Sequence, residues 1–202
     1  GFMLQKQLVK VVVGGNVSST GDIIRASLFT VGTAPGISTV SSFFIMVKEG
    51  RMLCFGDCAV NPNPDAKQLA DIAISTATNY KAITGEEPRV AMLSFSTNGS
   101  ADHELVDKVK DASALVRQNA PELLVDGEMQ MDAAIMPSIG ERKFPGSAVA
   151  GKANVLIFPD LNAGNIGYKI AERLGGWEAV GPIVQGLAKP YCDLSRGCSV
   201  DD

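Results

Sequence analysis

The chain has 202 residues, of which 46% are hydrophobic, 20% are charged and only 6% are aromatic. This hydrophobic fraction is ordinary for a globular protein and excludes a wholly disordered chain. The net charge of −4 argues against nucleic acid as the main partner, although one or two arginines would suffice for a small anion. The sequence has no apolar run of roughly 18 residues and no recognisable signal peptide, so we expect a cytoplasmic protein that does not enter the membrane.

The first half of the chain is expected to start with a strand. Residues 8–13 are rich in β-branched side chains and end at a glycine pair, and an amphipathic helix follows them. Residues 40–58 read as two strands around a turn at residues 48–50, which predicts a hairpin. Residues 65–84 have the spacing of a long amphipathic helix, which Gly85 should end.

The second half alternates in the same way. We expect strand, helix, strand, helix, strand, helix and finally a buried strand, at residues 89–95, 103–119, 123–127, 130–136, 154–158, 166–174 and 180–185. Strands separated by helices of about 10–15 residues indicate βαβ units. The sequence therefore predicts an α/β fold with a doubly wound, largely parallel sheet flanked by helices.

Ligands in such sheets bind beyond the carboxyl ends of the strands, on the loops that lead into helices. Four polar segments qualify, at residues 14–22, 96–102, 159–165 and 194–202. Their Gly, Ser, Thr and Asn residues could direct backbone N–H groups and hydroxyls toward an anion. None matches a Walker or dinucleotide fingerprint, and ordinary helix capping would explain each loop equally well.

The segment LSRGCSVDD, at residues 194–202, holds a hydroxyl, a guanidinium, a thiol and two carboxylates. Ser199 and Asp202 fit a capping box, so the simplest interpretation is the start of a helix. That interpretation leaves Ser195, Arg196 and Gly197 without a role. Arg196 just before a helix N-terminus would suit a phosphate, and a carboxylate one turn later could act as a base.

Histidine-based nucleophilic catalysis and a zinc site are both disfavoured. The single histidine, His103, lies between two acidic residues, and no G-x-S-x-G elbow is present. The four cysteines are spaced as C-x3-C and C-x5-C, which favours reduced thiols over a zinc or redox motif. Asp or Glu would therefore act as the general acid or base, and Arg or Lys would bind an anion. The substrates themselves would provide the nucleophile and the electrophile.

Several long segments, taken in order, resemble a known family. They are GDCAVNPNPDAKQLADIAI, EPRVAMLSFSTNGSA, LLVDGEMQMDAAI, PDLNAGNIGYK, GPIVQGLAKP and LSRGCSVDD. Together they resemble the phosphate acetyltransferases (phosphotransacetylases) of the phosphate acetyl/butyryltransferase family. The resemblance runs from about Val11 to Asp202, which is nearly the whole chain.

The resemblance implies reversible acetyl transfer between acetyl-CoA and phosphate, giving acetyl phosphate and CoA. No bound cofactor and no metal are expected, since coenzyme A and acetyl-CoA are substrates. By position, Ser195 would hydrogen-bond the acyl carbonyl or its developing oxyanion, and Arg196 would hold phosphate. Asp202 matches the carboxylate that is proposed to take the proton from the CoA thiol.

The resemblance also implies residues that bind the phosphate or CoA substrates. They are Arg25, Ser19, Thr20, Gly197 and Cys198, although packing is the favoured role for the cysteine. Two departures from the family pattern lie close to these residues. The chain has Ser18-Ser19-Thr20 where relatives usually read H-T-T, and Cys192 where they usually have Asn. Both departures bear on the preferred acyl chain more than on the reaction type.

The family has two α/β domains with the active site in the cleft between them. Residues 1–35 are expected to be an end piece of the first domain, whose remainder is absent from this sequence. Residues 36–195 would form the inserted second domain, and residues 196–202 would begin the return to the first. Relatives are commonly dimers joined through the inserted domain, so a homodimer is the expected assembly.

Three other functions remain open at this stage. A phosphate propionyl- or butyryltransferase shares the fold and much of the motif set. A phosphotransacetylase-like domain could instead act as a non-catalytic acyl-CoA sensor, but a sensor need not keep Ser195, Arg196 and Asp202. A generic nucleotide-binding domain would explain the loops, but not the long ordered matches.

Overall fold

The computed structural model describes residues 1–194 of the chain. The strands in this part are β1 (Val12–Gly15), β2 (Ser41–Lys48), β3 (Arg51–Gly56), β4 (Arg89–Leu93), β5 (Leu124–Met129), β6 (Val155–Ile157), β7 (Glu178–Gln185) and β8 (Tyr191–Leu194). The helices are α1 (Phe2–Gln5), α2 (Thr20–Thr30), α3 (Ala66–Thr84), α4 (Glu104–Asn119), α5 (Met131–Ile135), α6 (Pro137–Lys143) and α7 (Leu161–Arg173). Within residues 1–194, no helix is both long and apolar enough to cross a bilayer.

The larger of the two sheets in the described chain has six strands in the order β5-β4-β6-β3-β2-β7. The strands from β5 to β3 pair in parallel, whereas β2 is antiparallel to both of its neighbours. The predicted α/β class with a largely parallel sheet is confirmed. The hairpin is confirmed as well, because β2 and β3 pair up to Lys48 and Arg51 on either side of the turn.

Helices cover both faces of this sheet, and the alternation of side chains along the strands explains why. Phe43 and Ile45 of β2 belong to the core under α3 and α4. Phe44 and Met46 point to the opposite face and belong to a second core, against which α7 packs. A strand that is apolar on both faces needs helices on both sides, as a doubly wound sheet provides.

The predicted buried strand at residues 180–185 is wrong in its burial, although a strand is present. β7 lies at the edge of the sheet, and of its residues only Gln185 is buried. It contains Pro182, which has no N–H to donate, and an edge position tolerates that loss. The apolar residues of this segment therefore do not indicate that the strand lies in the core.

Helix boundaries follow their capping residues. In α3, Asp65 and Gln68 form a reciprocal capping box, and Gly85 ends the helix in a left-handed conformation with φ of 75°. The helix expected at residues 166–174 begins earlier, at Leu161, because the Asp160 side chain accepts a hydrogen bond from the Ala163 N–H at 2.9 Å. Most of the segment expected to be a loop at residues 159–165 is thus the first turn of α7.

The smaller sheet joins the two ends of the described chain. β1 pairs in parallel with β8, in a register from Val12 opposite Tyr191 to Gly15 opposite Leu194. The strand predicted at residues 8–13 is displaced to residues 12–15, and β8 was not expected to be a strand. The domain boundaries at residues 35 and 195 stay a prediction.

We predict that Gly164→Ala destabilises the fold. A Cβ at this position of α7 would collide with the Asp57 carbonyl oxygen, which is backbone and cannot move aside cheaply. We expect a loss of about 1–3 kcal/mol in the free energy of unfolding, measured by urea denaturation. Alanine is the better helix former by about 1 kcal/mol, so an increase in stability would contradict the close contact. Asn162→Ala, at an exposed position of the same helix, is the matched control.

Candidate functional site

A cavity of about 410 Å³ lies where the carboxyl ends of β1 and β8 approach α7. We call it the strand-end cavity. Its polar lining comes from the loop after β1, from α7 and from the end of β8, and includes Ser18, Thr20, Asn165, Lys169 and Asp193; the apolar Leu194 also lines the cavity. Segments far apart in the sequence therefore contribute to one site, at the position where α/β folds commonly bind ligands.

Three of the four predicted loop segments contribute to this cavity, through Ser18 and Thr20, through Asn165 and through Leu194. The fourth, at residues 96–102, does not line it. There the buried Glu128 carboxylate accepts hydrogen bonds from the Gly99 N–H at 2.7 Å and the Ser96 hydroxyl at 3.0 Å. The His103 ring caps α4 by accepting from the Leu105 N–H at 3.1 Å. Capping and internal bonding thus account for this loop.

Ser19 and Thr20 lie at the start of α2, and Arg25 lies in its second turn. Ser19 is the N-cap, and its hydroxyl accepts a hydrogen bond from the Asp22 N–H and donates one to the Asp22 carboxylate. Bonding from Ser19 lowers the pKa of Asp22, and the charge of Arg25 lowers it further. Arg25 forms an exposed ion pair with Asp22 at 3.2 Å and does not line the cavity, whereas Thr20 does. Substrate binding by these residues stays a prediction.

Ser195, Arg196, Gly197, Cys198 and Asp202 lie outside the described residues, so their predicted roles also stay predictions. Leu194 is the last residue of β8 and lines the cavity. Ser195 and Arg196 are the next two residues in the sequence.

The loop between β3 and α3 is organised by the carboxylate of Asp57, which is only 4% exposed. Asp57 accepts six hydrogen bonds, from the N–H and hydroxyl of Ser42, from the N–H groups of Ala59, Val60 and Asn61, and from the Asn61 side-chain amide. Six donors satisfy a buried carboxylate and compensate for much of its lost hydration. The loop is thereby held in one conformation.

This loop seats α7 beside the cavity. The Asn165 side-chain amide donates to the Cys58 carbonyl at 3.1 Å, and Gly164 approaches the Asp57 carbonyl. Ala59, from the same loop, lines the cavity. This role of Asp57 was not apparent from the sequence. The available signal was an Asp directly after a strand, the usual place for a site residue in an α/β fold.

One wall of the cavity is aromatic. The rings of Phe44 and Tyr168 stack with centroids 4.2 Å apart and an interplanar angle of 17°. Burial raises the pKa of the Tyr168 hydroxyl, which favours its neutral form. Among the described residues that line the cavity, Lys169 is the only one with a cationic side chain, and it is exposed. The cavity thus combines an apolar wall with a polar rim.

The cysteines in the described part of the chain are free thiols: Cys54, Cys58 and Cys192. Burial, together with the neighbouring Asp57 charge, raises the pKa of Cys58 well above its ordinary value, so this thiol is a poor nucleophile. Within residues 1–194, no three His, Cys, Asp or Glu side chains are grouped so that they could hold a metal ion.

Comparison with known proteins extends the resemblance seen in the sequence. A family model described as "Phosphate acetyl/butaryl transferase" matches residues 1–202. The phosphate acetyltransferase of Thermoanaerobacterium thermosaccharolyticum is 52% identical over 207 residues, which cover 100% of this chain and 63% of that protein.

Two solved structures share the fold. The EutD phosphotransacetylase from Staphylococcus aureus has a TM-score of 0.91 and 48% identity, and the match covers 98% of this chain and 61% of that one. A phosphotransacetylase from Streptococcus pyogenes has a TM-score of 0.94 and 46% identity, with coverage of 98% and 61%. The chain spans about three fifths of the length of these relatives.

We predict that Asp57→Ala destabilises the protein by about 3 kcal/mol or more, because it leaves the donors of residues 42 and 59–61 without their acceptor. Chemical denaturation measures this loss. Asp65→Ala is the control, since it removes an exposed N-cap and should cost about 1 kcal/mol. Equal losses in the two variants would show that the Asp57 network does not hold the loop.

Proposed function

The chain belongs to the phosphate acetyl/butyryl transferase family, and from that premise we propose that its complete polypeptide is a phosphate acetyltransferase. It would transfer an acetyl group reversibly between CoA and phosphate. The observation that favours this function most strongly is 52% identity to a phosphate acetyltransferase over the whole of this chain. The position of the strand-end cavity supports it, because the segment with the proposed catalytic residues follows directly from its lining.

In the proposed reaction, CoA and acetyl phosphate bind together. A thiol with a reference pKa of about 8.5 is a weak nucleophile until it is deprotonated, and Asp202 would accept its proton. The thiolate sulfur then attacks the acetyl carbonyl carbon, a carbon–sulfur bond forms, and the bond from that carbon to the phosphate oxygen breaks. Ser195 would donate a hydrogen bond to the developing oxyanion, and Arg196 would hold the departing phosphate.

Arg25, Ser19, Thr20, Gly197 and Cys198 are proposed to contribute to binding of phosphate or CoA. To bind the substrate, Arg25 would have to break its ion pair with Asp22. Because this ion pair is exposed, breaking it costs little free energy. Thr20 lines the cavity and needs no such rearrangement. A homodimer and a cytoplasmic location are likewise parts of the proposal.

The acetyl group is proposed over a propionyl or butyryl group because a relative that matches the whole of this chain is named a phosphate acetyltransferase. The non-catalytic acyl-CoA sensor is the alternative from a different functional class. Turnover separates the enzyme from the sensor, and relative rates with different acyl phosphates separate the transferases.

We expect the complete polypeptide to consume thiol when it is given acetyl phosphate and CoA, without added metal. Loss of free thiol and formation of the thioester measure the reaction. Propionyl phosphate and butyryl phosphate, tested in parallel, should react more slowly. CoA binding without turnover of any of these acyl phosphates would contradict the enzyme and favour the sensor.

Asp202→Asn should lower kcat by about 100-fold or more while CoA binding stays within a few fold, because the amide cannot accept the thiol proton. Asp201→Asn is the matched control, with the same chemical change one residue away. Equal losses of kcat and CoA affinity at Asp202, or equal effects at both positions, would contradict its role as the base.

A further inference from the structure

Asp193, near the end of β8, has a buried carboxylate oxygen with no partner. The residue is 4% exposed and lines the strand-end cavity. In the part of the chain that the structure describes, Asp193 Oδ1 and Ser75 Oγ are the only buried side-chain oxygen or nitrogen atoms without a hydrogen bond. Ser75 is a neutral residue of α3 that does not line this cavity. Asp193 is therefore the unusual case, because leaving an oxygen of a buried carboxylate without a donor costs much more folding free energy than leaving a buried hydroxyl unpaired.

The neighbouring strand is shaped to accommodate this carboxylate. Gly14 pairs with Asp193 across the small sheet, and Gly15 follows it with φ of 100°. A Cβ on Gly15 would collide with Asp193 Oδ1 and with the Leu194 backbone. The two glycines thus leave room for an acidic side chain, yet they provide it with no donor.

The charge and the walls of the cavity restrict which ligand group could bind Asp193. The only cation in the described lining is the exposed Lys169, so this part of the lining by itself attracts a phosphate dianion only weakly, and in the proposed function Arg196 holds the phosphate. A neutral N–H donor on an otherwise apolar chain fits better. The Phe44–Tyr168 stack and Pro182 provide an apolar surface close to the carboxylate.

We propose that Asp193 is a substrate-binding residue, whose carboxylate turns toward the cavity and accepts a hydrogen bond from an amide N–H of the pantetheine arm of CoA. This inference rests on the proposed function, because CoA is the substrate with such an arm. Its two amides donate hydrogen bonds, and its methylene and methyl groups can cover the aromatic wall. Bound CoA then provides the hydrogen-bond donor that the Asp193 carboxylate lacks in the ligand-free protein.

The inference predicts opposite effects on stability and on binding. Asp193→Asn removes the unpaired charge at constant shape, so the Tm of the ligand-free protein should stay the same or rise. Asp193→Leu also removes the acceptor, and we expect it to raise the dissociation constant for CoA by about tenfold, with a smaller increase for Asp193→Asn. Desulfo-CoA, which lacks the thiol but keeps both amides, should show the same losses.

The test uses the complete polypeptide, with calorimetric titration of CoA and desulfo-CoA and a thermal melt for each variant. Asp126→Asn is the structural control. Asp126 pairs with Arg117 at 3.1 Å and does not line the cavity, so this change should lower the Tm and leave CoA affinity unchanged.

A lower Tm with unchanged CoA affinity in both Asp193 variants would overturn the inference in favour of a structural role. A fall in kcat with unchanged affinity for desulfo-CoA would overturn it too, because Asp193 would then face the reacting thiol. Failure of the unmodified protein to bind CoA and to turn over acetyl phosphate would instead contradict the proposed function. If the unmodified protein binds CoA and both Asp193 variants bind it equally well, this inference alone is contradicted.

Discussion

The strand-end cavity depends on one buried carboxylate, that of Asp57. Its six hydrogen bonds fix the loop after β3 to β2 and to itself. The fixed loop presents the Cys58 carbonyl to Asn165 and leaves room for only a glycine at position 164. The position of α7, and therefore of the aromatic wall, follows from this network.

Asp57 and Asp193 show how two buried carboxylates in one fold can serve different ends. Asp57 has all the donors it needs and holds the backbone in place. Asp193 lines the cavity with one oxygen unpaired, a condition that lowers stability unless a ligand provides the donor. Both residues lie in segments that resemble the family, Asp57 in GDCAVNPNPDAKQLADIAI and Asp193 between Cys192 and Leu194, but the resemblance gives neither of them a role in the site.

Local sequence patterns predicted those elements whose formation depends on local interactions. The β2–β3 hairpin and α3 were predicted well, because a short turn, an Asp65 cap and Gly85 define them. The early start of α7 was missed because Gly164 reads as a loop residue, and its need for a close backbone approach is visible only in three dimensions. β8 was missed because its partner, β1, lies at the other end of the chain. The same separation concealed the convergence of Asp193 with α7, while the family resemblance supplied Ser195, Arg196 and Asp202.

The strand-end cavity would receive the CoA substrate, and a crystal structure of the complete polypeptide with bound CoA would show this placement. The pantetheine arm should then lie against the Phe44–Tyr168 stack, with an amide nitrogen about 3 Å from a carboxylate oxygen of Asp193. An arm bound elsewhere would contradict it, for example in the separate apolar groove beside Phe95 and Leu105.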